Sequence, residues 1–100
     1  MPTSVALTSN VARIILTGEF DFSNQEELKT AFEQAIRAKG DMIEADMQAT
    51  MFIDSAVIRL FLQWRETAAR QGKSLVIVNC SERIAEIFAI GGFDKIFDIR

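Results

Sequence analysis

The sequence predicts an α/β domain, a mostly parallel mixed sheet with helices packed on it, in the order ββαβαβαβ. Three observations carry this expectation. Apolar residues recur at helical spacing in three separate stretches, short β-branched runs alternate with those stretches, and glycines stand where the helical spacing stops. Parallel neighbours in a sheet need crossover connections, and the intervening helices supply them.

Val5-Ala6-Leu7 and Val11 to Leu16 are β-prone and are separated by Thr8-Ser9-Asn10, a short polar turn signal, so the chain opens with two strands. Ser23 followed by Glu26 matches a capping box, after which Leu28, Ala31, Phe32, Ala35 and Ile36 recur on one face. A first helix over Asn24 to Ala38 follows, stopped by Gly40. Met42 to Met47 and Phe52-Ile53 read as one strand with an irregular exit. The second helix, Ala56 to Gln71, gathers Val57, Ile58, Phe61, Leu62, Trp64 and Ala68 on an apolar face, with Arg59, Gln63, Glu66 and Arg70 opposite and Gly72 at its end. Helices one and two are expected to pack through Phe32, Ile36, Ile58, Phe61 and Leu62.

Ser74 to Val78 is a continuous apolar, β-branched run, the pattern of a central strand covered on both faces. Ser81 caps a third helix whose Ile84, Ile87 and Phe88 share a face, and Gly91-Gly92 ends it before a last strand over Ile96 to Ile99. In such sheets sites lie where strands hand over to helices. Three segments occupy that position: Gly18 to Ser23, Phe52 to Ala56, and Asn79 to Ser81.

One hydrophobic core fits a chain of 100 residues, so residues 1–100 are read as a single domain. With 49% hydrophobic and 25% charged residues the composition is that of an ordinary folded protein. A net charge of −3 with both signs interspersed offers no footprint for nucleic acid or anionic lipid. No apolar run reaches the roughly 20 residues that span a bilayer, and the opening Met1-Pro2-Thr3-Ser4 lacks a signal-peptide layout, so a cytoplasmic chain without membrane insertion is expected. Cys80, the single cysteine, follows Val76-Ile77-Val78 and reads as a buried or half-buried thiol in a reducing compartment.

The chain has no His and no Tyr, and one Cys, which removes Ser-His-Asp and Cys-His arrangements, zinc spacings and redox pairs. Neither a Walker loop nor a G-x-G-x-x-G follows a strand. A binding protein rather than an enzyme is expected. Asp21, Asp46 and Asp54 are hard oxygen donors that would suit Mg²⁺ if gathered, against which stands their plain use as helix caps and loop carboxylates. Ser55 falls between a strand exit and a helix start, where the dipole tolerates an added phosphate. The plain alternative is that Ser55 or Asp54 is the N-cap of the second helix.

Thr17-Gly18-Glu19-Phe20-Asp21, Phe52-Ile53-Asp54-Ser55-Ala56 and Gly91-Gly92-Phe93-Asp94-Lys95-Ile96-Phe97, in that order and spacing, resemble the STAS-domain family and within it the bacterial anti-sigma factor antagonists. The resemblance runs over nearly the whole chain and implies a STAS-like single domain. It also implies a partner-switching module: the unmodified antagonist binds a serine kinase that doubles as an anti-sigma factor, and phosphorylation of the motif Ser ends binding. Carried over, that Ser is Ser55, with Asp21, Asp54, Ala56 and Val57 near the phosphoacceptor and the partner. The family's kinases use ATP and Mg²⁺, while the antagonist carries no cofactor. Two departures stand out. Val57 takes the place of a usual Gly, adding bulk where a partner approaches the second helix, and the strand before the motif carries Glu44 as well as Asp46. Within the same family, a regulatory subunit of a membrane transport ATPase, the phospholipid type included, is the alternative. A small hydrolase or nucleotide-binding enzyme is the third reading, and the missing catalytic groups count against it.

Overall fold

Val11-Ala12-Arg13-Ile14-Ile15-Leu16 is β-prone, and the strand it forms buries Ala12, Ile14 and Leu16 while Val11, Arg13 and Ile15 stay half-buried. That alternation orients the main sheet in the computed structural model, which describes residues 3–7 and 10–100. The turn expected at Thr8-Ser9-Asn10 lies, apart from Asn10, outside the described residues. Strands β1 (Thr3–Leu7), β2 (Val11–Leu16), β4 (Met42–Asp46), β6 (Ser74–Val78) and β7 (Asp98–Ile99) lie side by side in the order β1-β2-β4-β6-β7. β1 runs antiparallel to β2 and the other pairs are parallel. The register sets Ile14 beside Ala45 and Ala45 beside Ile77, so all three strands present their small and branched residues to one core.

Helices α1 (Gln25–Ile36) and α2 (Ser55–Arg70) complete that core, with Phe32, Ile58 and Phe61 buried and Ile36 and Leu62 packed against it from the edge. Trp64 joins them, its ring stacked on Phe32 at a centroid distance of 4.9 Å. Helix α3 (Glu82–Ile90) starts on Ser81, whose Oγ accepts the Ile84 N–H at 3.2 Å, and buries Ile84 and Phe88. Gly40 ends the turn after α1 at φ 104°, with Asn10 backbone so close that an added Cβ would sit 2.5 Å from its carbonyl oxygen. No helix among the described residues is long and apolar enough to cross a membrane.

The observed order departs from ββαβαβαβ in one respect that shapes the site. Gly18–Phe20 is a strand of its own, β3, and the segment expected as one strand is two, β4 and β5 (Thr50–Ile53), so β3 and β5 form a separate two-stranded parallel sheet. Hydrogen bonds made across the fold cause the split. Thr50 Oγ donates to the Leu16 carbonyl at 2.8 Å in a buried bond, and the Gly18 N–H donates to the Ala49 carbonyl at 2.9 Å. The chain leaving β4 is thereby pulled off the main sheet and onto the continuation of β2. The last strand is also shorter than Ile96 to Ile99. A 3-10 turn over Phe93–Lys95 ties Phe97 N–H to the Phe93 carbonyl, and Phe97 packs edge-on to Phe88 at 5.6 Å.

Candidate functional site

Parallel pairing of β3 with β5 brings two chain exits to one end of the molecule. Phe20 stands beside Ile53, and Asp21 and Asp54 follow them directly. Each Asp then starts a helical turn. Asp21 is the N-cap of a 3-10 turn over Phe22–Asn24, its Oδ1 accepting the Ser23 N–H at 2.8 Å and the Ser23 hydroxyl at 2.5 Å, while Asn24 Oδ1 accepts the Asp21 N–H at 2.9 Å. These hydrogen bonds, the Ser23 hydroxyl foremost, hold the exposed Asp21 carboxyl below the usual carboxylate range, so it is ionised at neutral pH.

Asp54 is the N-cap of α2, with Oδ1 accepting the Val57 N–H at 2.9 Å. Its other oxygen reaches across the gap, accepting the Phe22 N–H at 3.2 Å. The Asp54 N–H donates in turn to the Phe20 carbonyl at 3.3 Å. One carboxylate thus clamps both exits together. Nothing in the sequence marks this clamp, since the two partners are 32 residues apart.

With Asp54 taking the cap, Ser55 is left as the first residue of α2, exposed, and its hydroxyl has no hydrogen-bond partner among the described residues. The expectation left open between Asp54 and Ser55 as cap resolves to Asp54. Ala56 is half-buried beside it. Val57, named for the side a partner approaches, is fully buried in the core. Its amide serves the cap and its side chain packs inward, because the residue two places past the first helical position of α2 lies on the helix face turned to the sheet. The added bulk relative to Gly therefore falls inside the molecule.

Two further expectations change. The Ser23–Glu26 capping box does not form, because a 3-10 turn precedes α1 and Asp21, two residues before Ser23, captures the Ser23 amide and hydroxyl instead. Asp46 does not join Asp21 and Asp54. It is buried at the end of β4, where Arg13 Nη1 (3.4 Å), Asn79 Nδ2 (3.2 Å) and the Gln48 N–H (3.0 Å) satisfy it. Glu44, the other departure in that strand, pairs with Arg13 across the parallel register at 2.7 Å. Among the described residues no three His, Cys, Asp or Glu side chains gather as a metal site. Cys80 is half-buried, and desolvation pushes its thiol up to about 11.

The architecture is a mixed sheet with helices packed on it, with the Asp-capped start of α2 presenting Ser55 at one end. The STAS-domain family model described as "Mlab, STAS domain" matches residues 3–99, and the chain belongs to the STAS-domain family. A STAS-domain containing protein of Pseudomonas aeruginosa (strain UCBPP-PA14) is 28% identical over 87 residues, covering 86% of this chain and 84% of the relative. Among solved structures, an anti-sigma factor antagonist from Mycobacterium paratuberculosis superposes with a TM-score of 0.84 at 18% identity, covering 97% of this chain and 82% of that one. The anti-sigma factor antagonist SpoIIAA in its unphosphorylated form gives a TM-score of 0.80 at 19% identity, covering 98% and 87%. The fold is the one that anti-sigma factor antagonists have.

Proposed function

We propose that residues 1–100 act as one cytoplasmic STAS domain of the anti-sigma factor antagonist type. Unmodified, it binds a serine kinase that serves as an anti-sigma factor; phosphorylation of Ser55 by that kinase, with ATP and Mg²⁺, ends binding. The observation that carries the reading is the division of labour at the start of α2: Asp54 takes the cap and leaves the Ser55 hydroxyl exposed and without a partner among the described residues. A hydroxyl already committed to capping would have to be pulled from its amide before transfer, and Ser55 needs no such step.

A phosphate there adds about two negative charges and three acceptor oxygens beside Asp54 and near Asp21. The positive end of the α2 dipole offsets part of the repulsion, so the domain stays folded. A partner surface fitted to a neutral hydroxyl meets instead a charge it does not pair, which at an interface costs several kcal/mol. The role is that of a binding module: the sequence has no His, and its single thiol is held protonated.

Calorimetry of the kinase with three forms of the chain tests this reading. Ser55→Ala is expected to bind as the unmodified chain does, and Ser55→Glu at least about tenfold more weakly, with melting temperatures of both near wild type. Equal affinities for Ala and Glu variants would remove the switch and favour docking on a transport ATPase.

A further inference from the structure

Along β5 the alternation of the pleat fails: Thr50 and Ile53 are buried, while the two residues between them, Met51 and Phe52, are 61% and 39% exposed. The cause is a bulge. Gly18 pairs with Thr50 but Glu19 pairs with Phe52, so Met51 is an extra residue without a partner on β3. An unbulged strand would turn one of two consecutive side chains inward. Here both large apolar groups face water, separated from Asp54 and Ser55 by the buried Ile53.

They do not stand alone. Met51 and Phe52 share a depression of about 330 Å³ with Glu19 from β3 and Arg83 from the first turn of α3. Two exposed apolar side chains that share a depression with one anion and one cation have a specific complement. We propose that this depression is the anchor point of the partner protein, which inserts an apolar side chain flanked by a basic group toward Glu19 and an acidic group toward Arg83. The inference rests on the partner-switching reading and deepens it by naming the surface that carries affinity, as distinct from Ser55, which carries the switch. Interfaces draw most of their energy from a few apolar anchors seated in a pocket, with charged groups at the rim setting orientation. An anionic membrane does not fit, because Glu19, Asp21 and Asp54 share this end of the molecule and the chain is net negative at −3.

The probes are the purified kinase-type anti-sigma proteins of the source organism, titrated by calorimetry against wild type, Met51→Ser/Phe52→Ser, and Arg83→Glu. The expected result is a loss of at least about tenfold for the double variant and a few-fold for Arg83→Glu, with melting temperatures unchanged since the substituted side chains are exposed. Undiminished binding by a folded double variant would overturn the anchor while leaving the Ser55 reading in place. If none of the kinases binds wild type, the function reading falls and the anchor falls with it. Sedimentation of wild type, but not of the double variant, with phosphatidylglycerol vesicles would assign the surface to lipid and also overturn it.

Discussion

In the five-stranded sheet Ile14, Ala45 and Ile77 lie abreast on adjoining strands and all three are buried, whereas in the two-stranded sheet the consecutive residues Met51 and Phe52 both face solvent. The first arrangement follows the pleat and commits its side chains to the core. The second breaks the pleat with a bulge and is held by polar links: Thr50 to the Leu16 carbonyl, and Asp54 to both Val57 and Phe22. The two-stranded sheet also sends Phe20 and Ile53 into the core, so it adds to stability while leaving Met51 and Phe52 in solvent. Substitutions of the buried residues of either sheet are expected to move stability, and substitutions of the exposed Met51 and Phe52 to move binding.

The largest effect should come from the core under the large sheet. Phe61 is 2% exposed and contacts the Trp64 ring at a centroid distance of 5.3 Å, so Phe61→Ala is expected to cost about 3–5 kcal/mol. That is a large share of the stability of a domain this size. A urea denaturation midpoint equal to that of wild type would mean that α2 does not rest on that face.

A smaller loss is expected at the joint between the two regions. Asp54→Ala removes the α2 cap and the link to Phe22, for about 1–2 kcal/mol, and Asp54→Asn, which keeps a capping oxygen, should recover most of it. Amide hydrogen exchange sharpens the test: the Val57 and Phe22 amides should lose protection together in the Ala variant. Independent behaviour of the two would break the clamp.

Titration of Cys80 leaves stability at neutral pH unchanged and probes the border of the core only at high pH. Burial raises its pKa from 9.0 to about 11, so the fold favours the protonated thiol. Its contribution is fully present below pH 9.0 and is lost as pH rises through about 11. Alkylation by iodoacetamide at pH 8 should run well over tenfold slower than for a free thiol, because well below the pKa the thiolate fraction drops about tenfold for every pH unit that separates the two. Reaction at the free-thiol rate would place Cys80 in water.

What could be read from the sequence divides along the same line. β2 and β6 announce themselves as a β-prone stretch and an unbroken apolar run, and α2 through the spacing of Val57, Phe61, Trp64 and Ala68. The Asp54-Ser55 pair is visible as a strand exit meeting a helix start, and the structure decides which of them caps. β3 and β5 are hidden because three and four residues are too few for a period, and their pairing depends on the distant Leu16 carbonyl. Ser23 and Glu26 match a local motif that loses to Asp21, a stronger acceptor that begins its own turn. The bulge leaves a faint trace, two large apolar residues side by side where alternation requires one.

The switch at Ser55 is tested most directly by locating the phosphate. The unmodified chain is incubated with its kinase, ATP and Mg²⁺, digested and mapped by mass spectrometry, with Ser55→Ala in parallel. A single phosphate on Ser55, none on Ser55→Ala, and loss of the kinase complex by the modified chain are the predicted results. Phosphate on another residue, or none while the same kinase modifies a known antagonist, would contradict the account.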